Sequence, residues 1–431
     1  MKVYVETLGC KVNQYETSCV LDEFLNNGFE ETKSMEMADV VIINTCTVTN
    51  RTDYKSRNLI TKAINIKKAK PYTKIVVTGC YGQNNRDEIL ASGFVDLIVD
   101  NNDKNQIYRY VKESKDIGFI NADEFLDFSE MSMNSMNERS RAFLKIQDGC
   151  DFDCTYCIVP SVRGKPRSRS FDSVLKQVER LLSVGYEEIV LGGINLGLYE
   201  GLSDLLYKLE KYDKLKKIRL SSIEPQLFTD KLLSAIGSID KICPHFHIPL
   251  QTGSDYLLKL HRRKYSTKQF LEIIKELQAL KPHCAFGFDI IVGLPEETDE
   301  LFNETYALLK GIDFAYLHVF VYSKRKGTDA AKMKNQVHGS ITKERSNKLL
   351  ELELIKSDKY IKKLVDEKVV LFAVPEVYDE KSGMCSGTTD RYVRARYEIG
   401  NMRSESKGVL MLRPIKSTKD SVYCEVINDK R

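Results

Sequence analysis

The first part of the chain alternates short apolar runs with longer segments of helical periodicity. The apolar runs have the length of buried strands and lie at Lys2–Leu8, Val40–Asn44, Lys74–Thr78 and Leu97–Val99. The segments between and after them are Glu16–Asn27, Arg51–Lys68, Asn84–Ser92 and Gln106–Lys112. This alternation predicts an α/β domain over residues 1–115, with a doubly wound parallel sheet. Because no Gly-x-Gly-x-x-Gly motif is present, we do not expect this sheet to bind a dinucleotide.

A second βα series predicts a domain over residues 136–366. Its six candidate strands are Ala142–Ile146, Glu188–Leu191, Lys217–Leu220, His245–Ile248, Phe286–Val292 and Ala315–Val321. Helical patterns separate these strands, so the series favours a partial (β/α)6 barrel, in which the chemistry lies at the carboxyl ends of the strands. The polar residues around 114–140, which include several Met, Ser and Asn, are expected to form a linker.

Residues 367–431 change to β character. The strand-like runs are Val369–Val377, Tyr392–Tyr397, Val409–Leu412 and Val422–Ile427, and they predict a small β-barrel. Arg391 and Arg394 lie on it, with Tyr392 and Tyr397 interleaved. Basic and aromatic residues on a small barrel suit RNA contact by phosphate pairing and base stacking, whereas a solvated charged face is the alternative.

Composition indicates the cellular compartment in which we expect the protein. The 431 residues include 11 cysteines, which is far below the density of a secreted disulfide scaffold. There is no signal peptide and no apolar run of membrane length, so we expect a cytoplasmic protein with reduced thiols and no membrane association. The formal net charge of +4 permits a nucleic-acid partner without establishing one.

Three of the cysteines form a compact motif after the first barrel strand. Cys150, Cys154 and Cys157 have the spacing C-x3-C-x2-C. A closed structural zinc site needs four ligands, and iron–sulfur clusters are normally held by four thiolates. Three thiolates on a four-iron cluster would leave one iron able to bind another ligand. Chance clustering, or half of a zinc site, is the alternative.

Three other cysteines follow three predicted strands of the first domain. Cys10, Cys46 and Cys80 each lie one or two residues beyond a strand, and the carboxyl ends of parallel strands meet at one edge. Gly9 and Gly79 would allow the backbone to approach closely there. The alternative is three buried structural cysteines. We assign the remaining five to core packing: Cys19, Cys243, Cys284, Cys385 and Cys424.

The C-x3-C-x2-C motif, with Tyr156 before its last cysteine, resembles the radical S-adenosylmethionine (SAM) superfamily. Together with the three strand-end cysteines and the basic β-domain, the chain resembles the radical SAM methylthiotransferases along nearly its whole length. The stretches Thr7–Thr17, Asn44–Thr49 and Val77–Tyr81 resemble the branch that acts on threonylcarbamoyladenosine in tRNA. Thr252, His261 and Val321 depart from residues that are common in the family.

This resemblance implies two [4Fe-4S] clusters, one on Cys150, Cys154 and Cys157 and one on Cys10, Cys46 and Cys80. The first would reduce SAM to give a 5′-deoxyadenosyl radical, and the second would hold the sulfur that is methylated by another SAM. The methylthio group would then reach C2 of N6-threonylcarbamoyladenosine at tRNA position 37. Isopentenyladenosine tRNA and a ribosomal protein are the alternative substrates.

The resemblance also suggests individual contacts, each of which could instead be an ordinary turn, core or surface residue. SAM contacts are expected from Tyr156, Gly192, Gly193, Glu224, Gln251 and Arg263. Substrate and RNA contacts are expected from Lys11, Asn13, Arg163, Arg167, Arg169, Arg391 and Arg394, and from the basic helix that carries Arg51, Lys55 and Arg57. The expected partners are the anticodon stem-loop of tRNA and an electron donor such as a flavodoxin or ferredoxin, with the enzyme acting as a monomer.

Overall fold

A computed structural model describes residues 1–113, 118–120, 127–133, 140–398 and 407–427. The first unit contains strands β1 (Lys2–Thr7), β2 (Glu30–Glu31), β3 (Val40–Thr45), β4 (Lys74–Thr78), β5 (Leu97–Val99) and β6 (Gly118–Ile120). Its helices are α1 (Lys11–Asn26), α2 (Asn50–Ala69), α3 (Gly79–Asn84), α4 (Arg86–Leu90) and α5 (Ile107–Glu113). The strands form one parallel sheet in the order β2-β1-β3-β4-β5-β6, which confirms the doubly wound arrangement.

Two features of this unit differ from the expectation. Helix α1 begins at Lys11 instead of Glu16, because Val12 and Asn13 in its polar first turn are buried against the sheet. The sheet also continues to β6, inside the segment expected to be a linker, and Tyr15 donates a hydrogen bond to the carbonyl of Met131 (2.9 Å). The predicted linker residues 114–117, 121–126 and 134–139 lie outside the described residues.

The second unit is the partial barrel. Its strands are β7 (Ala142–Lys145), β8 (Gln147–Asp148), β9 (Arg167–Ser168), β10 (Glu188–Gly192), β11 (Lys217–Leu220), β12 (His245–Gln251), β13 (Ala285–Val292) and β14 (Tyr316–Val321). Its helices are α6 (Val159–Arg163), α7 (Phe171–Ser183), α8 (Leu202–Glu210), α9 (Asp230–Ser238), α10 (Asp255–Leu260), α11 (Thr267–Leu280), α12 (Asp299–Gly311) and α13 (Gly339–Asp366). Parallel sheets β7-β10-β11 and β12-β13-β14 form the barrel wall, and a bridge between Ile218 and Ile242 leads from one to the other. All six predicted strands are present.

The third unit is a curled six-stranded sheet. It contains β15 (Leu371–Ala373), β16 (Val377–Asp379), β17 (Met384–Thr388), β18 (Arg394–Glu398), β19 (Leu410–Ser417) and β20 (Ser421–Val426), in the order β15-β19-β20-β18-β17-β16. A bridge between Ala373 and Thr389 brings β15 to the end of β17 and curls the sheet. Sequence reasoning missed β17, because Cys, Ser and Gly in Met384–Thr388 give a weak strand signal.

Helix α13 links the last two units, since it packs on β14 at the barrel edge and on β19 of the curled sheet. The five cysteines assigned to core packing are all buried, as predicted. Within the part of the chain that the structure describes, no helix combines the length and apolar character needed to cross a membrane.

Candidate active site

Cys10, Cys46 and Cys80 come together at the carboxyl edge of the first sheet. Cys10 caps the amino end of α1, and Cys80 is the second residue of α3. A bridge between Thr45 and Gly79 joins the Cys46 and Cys80 segments. A Cβ atom on Gly9 would lie 2.8 Å from the Cys46 sulfur, so the Cys10 segment contacts Cys46 directly. The predicted convergence of these three strand ends is therefore observed.

Asn13 and Asn44 hold these segments together. Asn13 Nδ2 donates to the carbonyls of Leu8 (2.8 Å) and Thr45 (3.1 Å), and Asn44 Nδ2 donates to the carbonyl of Asn13 (3.0 Å). Asn13 is only 1% exposed. This corrects the expectation that Asn13 contacts the substrate: its amide shapes the loops that carry the cysteines.

The second triplet lies in the loop that follows β7 and β8. The Cys150 amide donates to the carbonyl of Gly164 (3.0 Å), and the Cys157 amide donates to that of Cys154 (3.0 Å). Gly149 has a φ of +73°, and a Cβ there would lie 2.0 Å from the Lys165 carbonyl oxygen. The loop is thus curled by local backbone contacts, with only glycine allowed immediately before Cys150.

The thiols fit iron–sulfur clusters better than a single ion. Among the described residues, neither triplet has all three sulfurs within 4.8 Å of one another. A zinc ion with Zn–S bonds of about 2.3 Å would hold its sulfurs about 4 Å apart. Wider spacing suits a cluster in which each thiolate binds a different iron.

Burial raises the pKa of three of these thiols. The pKa of Cys46 and of Cys150 rises to about 11, and that of Cys157 to about 12. We therefore expect Cys46, Cys150 and Cys157 to be protonated at neutral pH when no metal is bound. Because only thiolates bind metal, cluster assembly must release protons from both triplets.

One cysteine of the first triplet packs against the loop of the second at the boundary between the first sheet and the barrel. Cys80 packs with Ile158 and Val162 in one small apolar cluster, and Ile158 directly follows Cys157. The auxiliary triplet, defined as Cys10, Cys46 and Cys80, is thus placed beside the barrel triplet, defined as Cys150, Cys154 and Cys157.

A buried ion cluster joins the two units next to this contact. Glu16 of α1 accepts hydrogen bonds from Lys145 (2.7 Å) and Arg163 (3.0 Å), and it also pairs with Lys104. Arg163 bonds Asp148 (2.9 Å) as well. Although burial opposes ionisation, the charges of Arg163, Lys104 and Lys145 hold the pKa of Glu16 well below its usual range. The cluster fixes α1, which begins beside Cys10, against the loop that carries Cys150.

The arginines expected to bind phosphates are buried instead. Arg163, Arg167 and Arg169 are 1%, 6% and 2% exposed. Arg167 donates to the carbonyl of Arg163 (2.9 Å), and Arg169 donates to the hydroxyl of Tyr15 (3.0 Å). This corrects the expectation that these three arginines contact RNA. They make internal hydrogen bonds instead, because the domain boundary covers this basic segment.

The residues expected to contact SAM surround the barrel triplet only in part. Arg263 Nη1 lies 3.1 Å from Cys154 Sγ and pairs with Glu224, whose pKa burial raises despite that partner. Within the described residues, the hydroxyl of Tyr156 is buried without a hydrogen-bond partner, as expected if a ligand completes the site. Gln251 has a φ of +62° at an irregularity in β12.

Gly192 and Gly193 have clear packing reasons. A Cβ on Gly192 would lie 2.1 Å from the Phe143 ring, and one on Gly193 would lie 2.6 Å from Gln147 Oε1. The Gly192 carbonyl already accepts the Ile146 amide (2.8 Å). The interpretation of these glycines as strand-end packing residues is thus supported, and a SAM contact at either one stays a prediction.

Lys11 lies at a cavity of about 300 Å³ between all three units. Its Nζ is 5.4 Å from the centre of the Tyr392 ring, and Tyr392 stacks on His245 with ring centres 4.6 Å apart. Arg141 and Arg219 also line the cavity but pair with Glu376 (2.6 Å) and Glu188 (2.9 Å). Among the described residues, none forms an ion pair with Lys11.

The aromatic and basic residues of the curled sheet divide between its two faces. Tyr397 is fully buried and Tyr392 reaches the barrel, which corrects their expected place on an RNA-binding face. Arg391 donates to the carbonyls of His283 and Val370 (both 3.2 Å) and acts as an internal tie. Arg394 is exposed and bonds Ser386 (2.6 Å).

Comparison with known proteins agrees with this geometry. Residues 144–309 match the radical SAM superfamily, and residues 2–100 match an uncharacterized protein family, UPF0004. The chain is 40% identical over 413 residues to the threonylcarbamoyladenosine tRNA methylthiotransferase MtaB of Bacillus subtilis, covering 92% of this chain and 90% of that one. The chain belongs to the radical SAM methylthiotransferase family.

Two further relatives define the range of the similarity within this methylthiotransferase family. MtaB of Aquifex aeolicus is 37% identical over 373 residues, covering 84% of this chain and 90% of the relative. The tRNA-2-methylthio-N(6)-dimethylallyladenosine synthase of Bacillus subtilis is 34% identical over 362 residues, covering 81% and 71%. As a radical SAM methylthiotransferase, the chain uses SAM and two [4Fe-4S] clusters.

Solved structures support the fold. The radical SAM methyltransferase TsrM of Kitasatospora setae, with cobalamin and a [4Fe-4S] cluster bound, superposes with a TM-score of 0.58 at 12% identity, covering 77% of each chain. At this identity the similarity shows shared architecture and carries no information on substrate.

Proposed function

We propose that this chain is a tRNA methylthiotransferase that modifies C2 of N6-threonylcarbamoyladenosine at position 37. The observation that carries the proposal is the meeting of two three-cysteine sites at one domain boundary, in a chain that is 40% identical to an MtaB over 92% of its length. Two cysteine triplets on opposite sides of one contact suit a reaction that needs both radical generation and sulfur delivery.

The proposed division of roles assigns SAM cleavage to the barrel triplet. Cys150, Cys154 and Cys157 would hold the cluster that supplies the electron for SAM cleavage. Arg263 lies against Cys154 and carries a guanidinium that can bind the SAM carboxylate, while Glu224 can accept a hydrogen bond from its amino group. The Arg263–Glu224 pair observed here would then open as SAM binds.

The auxiliary triplet would carry the sulfur. Cys10, Cys46 and Cys80 hold their positions through the Asn13 and Asn44 hydrogen bonds and through Gly79, where a Cβ would lie 2.3 Å from the Thr45 carbonyl oxygen. The Glu16 ion cluster keeps this edge against the barrel. The chain's own contribution is therefore to set the distance between sulfur donor and radical source.

Lys11 is the residue we assign to the threonyl carboxylate. It adjoins Cys10, lines the cavity between the three units and has no carboxylate partner among the described residues. A lysine ammonium is a point charge that suits a flexible carboxylate on the N6 substituent of the adenine. An isopentenyl group has no charge to offer it.

The tRNA would be held on two exposed basic surfaces. The first, which we call the α2 surface, consists of Arg51, Tyr54 and Lys55 together with Lys324 and Lys326, all exposed. The two segments meet because the Asn50 amide donates to Ser323 Oγ (2.9 Å) and Arg325 pairs with Asp53. This surface replaces the buried Arg163–Arg169 run as the basic surface near the cysteines.

The second basic surface is the outer face of the curled sheet. Its exposed cations are Arg394, Arg396, Arg413 and Lys416, and Lys416 lies 4.8 Å from the centre of the Tyr423 ring. Phosphate pairing and stacking against such a face suit the stem of an RNA. We expect the enzyme to act as a cytoplasmic monomer, with a flavodoxin or ferredoxin as reductant.

The decisive experiment offers anaerobically reconstituted enzyme two tRNAs, one threonylcarbamoylated and one isopentenylated at position 37. Mass spectrometry of the nucleosides should show methylthiolation of the threonylcarbamoylated tRNA, and Lys11→Ala should reduce that preference. Preferential reaction of the isopentenylated tRNA would refute the assigned substrate, and labelling of a ribosomal protein would remove tRNA from the proposal.

A further inference from the structure

A row of polar side chains lines the inner face of β12, β13 and β14. It consists of His245 and His247 on β12, Asp289 on β13, and Tyr316 and His318 on β14. Alternate residues of a strand share one face, so these side chains stand together while Phe288 and Ile290 fill the core behind them. Neither cysteine triplet includes any of these residues, so the row is a separate feature of the barrel.

The central member of the row is Asp289, which is shared by two imidazoles. His247 Nε2 lies 2.9 Å from Asp289 Oδ2, and His318 Nδ1 lies 3.0 Å from Asp289 Oδ1. On the inner side, His247 Nδ1 is 3.0 Å from the Tyr316 hydroxyl, which is also 2.9 Å from His245 Nε2. The row is therefore one continuous hydrogen-bond chain.

The outer end of the chain is His318. The side chains of His247 and Asp289 are 10% and 20% exposed, whereas that of His318 is 47% exposed. Although burial opposes ionisation, hydrogen bonds with His247 and His318 lower the pKa of Asp289 to about 2. An ionised Asp289 accepts a hydrogen bond from Nδ1–H of His318, which leaves Nε2 as the atom available to a ligand.

Contacts lead from the row toward both cysteine triplets. On one side, Tyr316 and Tyr392 pack with ring centres 5.1 Å apart, and Lys11 beside Cys10 lies over Tyr392. On the other side, the charge of Asp289 reaches Glu224, which pairs with the Arg263 that contacts Cys154. The row is therefore linked by contacts to the surroundings of both triplets.

The atoms next to the target carbon indicate what the row could bind. C2 of adenine lies between the ring nitrogens N1 and N3, so an in-plane hydrogen bond to either one sets the direction of the C2–H bond. We propose that His318, oriented by Asp289 and His247, hydrogen-bonds through Nε2 to a ring nitrogen beside C2 of the target adenine. This inference rests on the proposed function, since it needs an adenine as substrate. To donate this bond while its Nδ1–H stays on Asp289, the imidazole of His318 must carry a proton on each nitrogen.

The test distinguishes the roles of the two imidazole nitrogens of His318. His318→Asn places an amide where Nδ1 was, so it can keep Asp289 but loses the outer donor, whereas His318→Gln places an amide near the position of Nε2. His338→Asn is the matched control, because His338 is an exposed residue that caps α13 and asparagine caps helices well. Each variant is reconstituted with iron and sulfide and assayed with threonylcarbamoylated tRNA.

The readout is the amount of 5′-deoxyadenosine formed per methylthiolated nucleoside. We expect His318→Asn to raise this ratio about tenfold, as the loss of a charge-assisted hydrogen bond would, with unchanged iron content and unchanged SAM cleavage without tRNA. His318→Gln should recover part of the coupling. Wild-type enzyme can also be given tRNA with 1-deazaadenine or 3-deazaadenine at position 37, and one of these two bases should raise the same ratio. With that base, His318→Asn should raise the ratio no further.

Two results would overturn the inference while leaving the proposed function intact. One is an unchanged ratio in His318→Asn. The other is loss of a bound metal ion beyond the cluster iron in that variant, because the ligand atoms of His247, Asp289 and His318 lie within 4.8 Å of one another and would then be a metal site. Failure of wild-type enzyme to modify threonylcarbamoylated tRNA would instead refute the proposed function.

Discussion

The two cysteine triplets reach similar arrangements by opposite routes. The barrel triplet is local: Cys150, Cys154 and Cys157 lie in one loop that is closed by short-range backbone hydrogen bonds. The auxiliary triplet is assembled from three strand–helix junctions, because its members follow the three long strands β1, β3 and β4 of the sheet. One site therefore depends on loop conformation and the other on the register of a parallel sheet.

This difference decides what damages each site. A change in the barrel loop should leave the first sheet intact, whereas a change in strand register or at a strand end should remove the auxiliary site alone. The Glu16 ion cluster belongs to both units, so it controls their relative position without belonging to either triplet.

The largest expected effect comes from removing one triplet at a time. Replacing Cys150, Cys154 and Cys157 with Ala should abolish SAM cleavage and leave roughly half of the iron, because separate sites load separately. Replacing Cys10, Cys46 and Cys80 should keep reductive SAM cleavage but abolish methylthiolated product. Iron analysis and assay of 5′-deoxyadenosine check both variants. Complete iron loss in either variant would contradict independent sites.

Loss of the charge at Glu16 tests the junction between the sites. Glu16→Gln should lower the free energy of unfolding by about 3–5 kcal/mol, because Arg163, Lys104 and Lys145 would stay buried with too little negative charge. Denaturant titration measures the effect. Glu31→Gln is the control, since its exposed pair with Lys33 (2.8 Å) should contribute only about 0–1 kcal/mol.

The same glutamate predicts a pH dependence. The pKa of Glu16 is held well below its usual range in the folded protein, so its stabilisation is present above about pH 4.3, the unfolded value, and is lost as the pH falls toward the folded pKa. Glu16→Gln should therefore flatten the loss of stability on acidification. Parallel stability curves for wild type and variant between neutral pH and pH 3 would argue against this role.

Single glycine substitutions compare the two routes directly. Gly79→Ala would bring a Cβ within 2.3 Å of the Thr45 carbonyl oxygen, and Gly149→Ala would bring one within 2.0 Å of the Lys165 carbonyl oxygen. Each should cost about 2–4 kcal/mol, from a positive φ plus steric overlap, and should lower cluster occupancy only in its own site. Gly93→Ala has a φ of +69° but open space, so its cost should be about 1 kcal/mol. Equal effects of all three on both clusters would show that the sites are not independent.

The smallest effect is expected at the α2 surface. Exchanging Arg51 and Lys55 for Gln should weaken tRNA binding several-fold and reduce the slope of log Kd against log salt by about two, one for each lost phosphate contact. SAM cleavage without tRNA should not change. Filter binding at several salt concentrations measures the slope, and Lys208→Gln on α8 of the barrel is the matched control. An unchanged slope would place the RNA elsewhere.

Sequence reasoning succeeded where the signal was local or periodic. The six barrel strands and the parallel sheet followed from apolar runs, because a strand buried on both faces must be apolar throughout. The C-x3-C-x2-C loop needed no long-range information. The convergence of Cys10, Cys46 and Cys80 was also predictable, because parallel strands present their carboxyl ends at one edge.

The roles of the charged residues were decided by the tertiary structure. Arg163, Arg167 and Arg169 have the composition of a phosphate-binding run, yet ion pairs with Glu16, Asp148 and Glu130 neutralise much of their charge. Asp289 and its two histidines come from three different strands, so their spacing in the sequence does not predict that they meet. The chain's apolar pattern and cysteine positions determined the fold and the two cluster sites, because burial and strand direction act element by element. Which cations face RNA and which hold domains together depended on how those elements pack, because a charge can be buried only where packing supplies its partner.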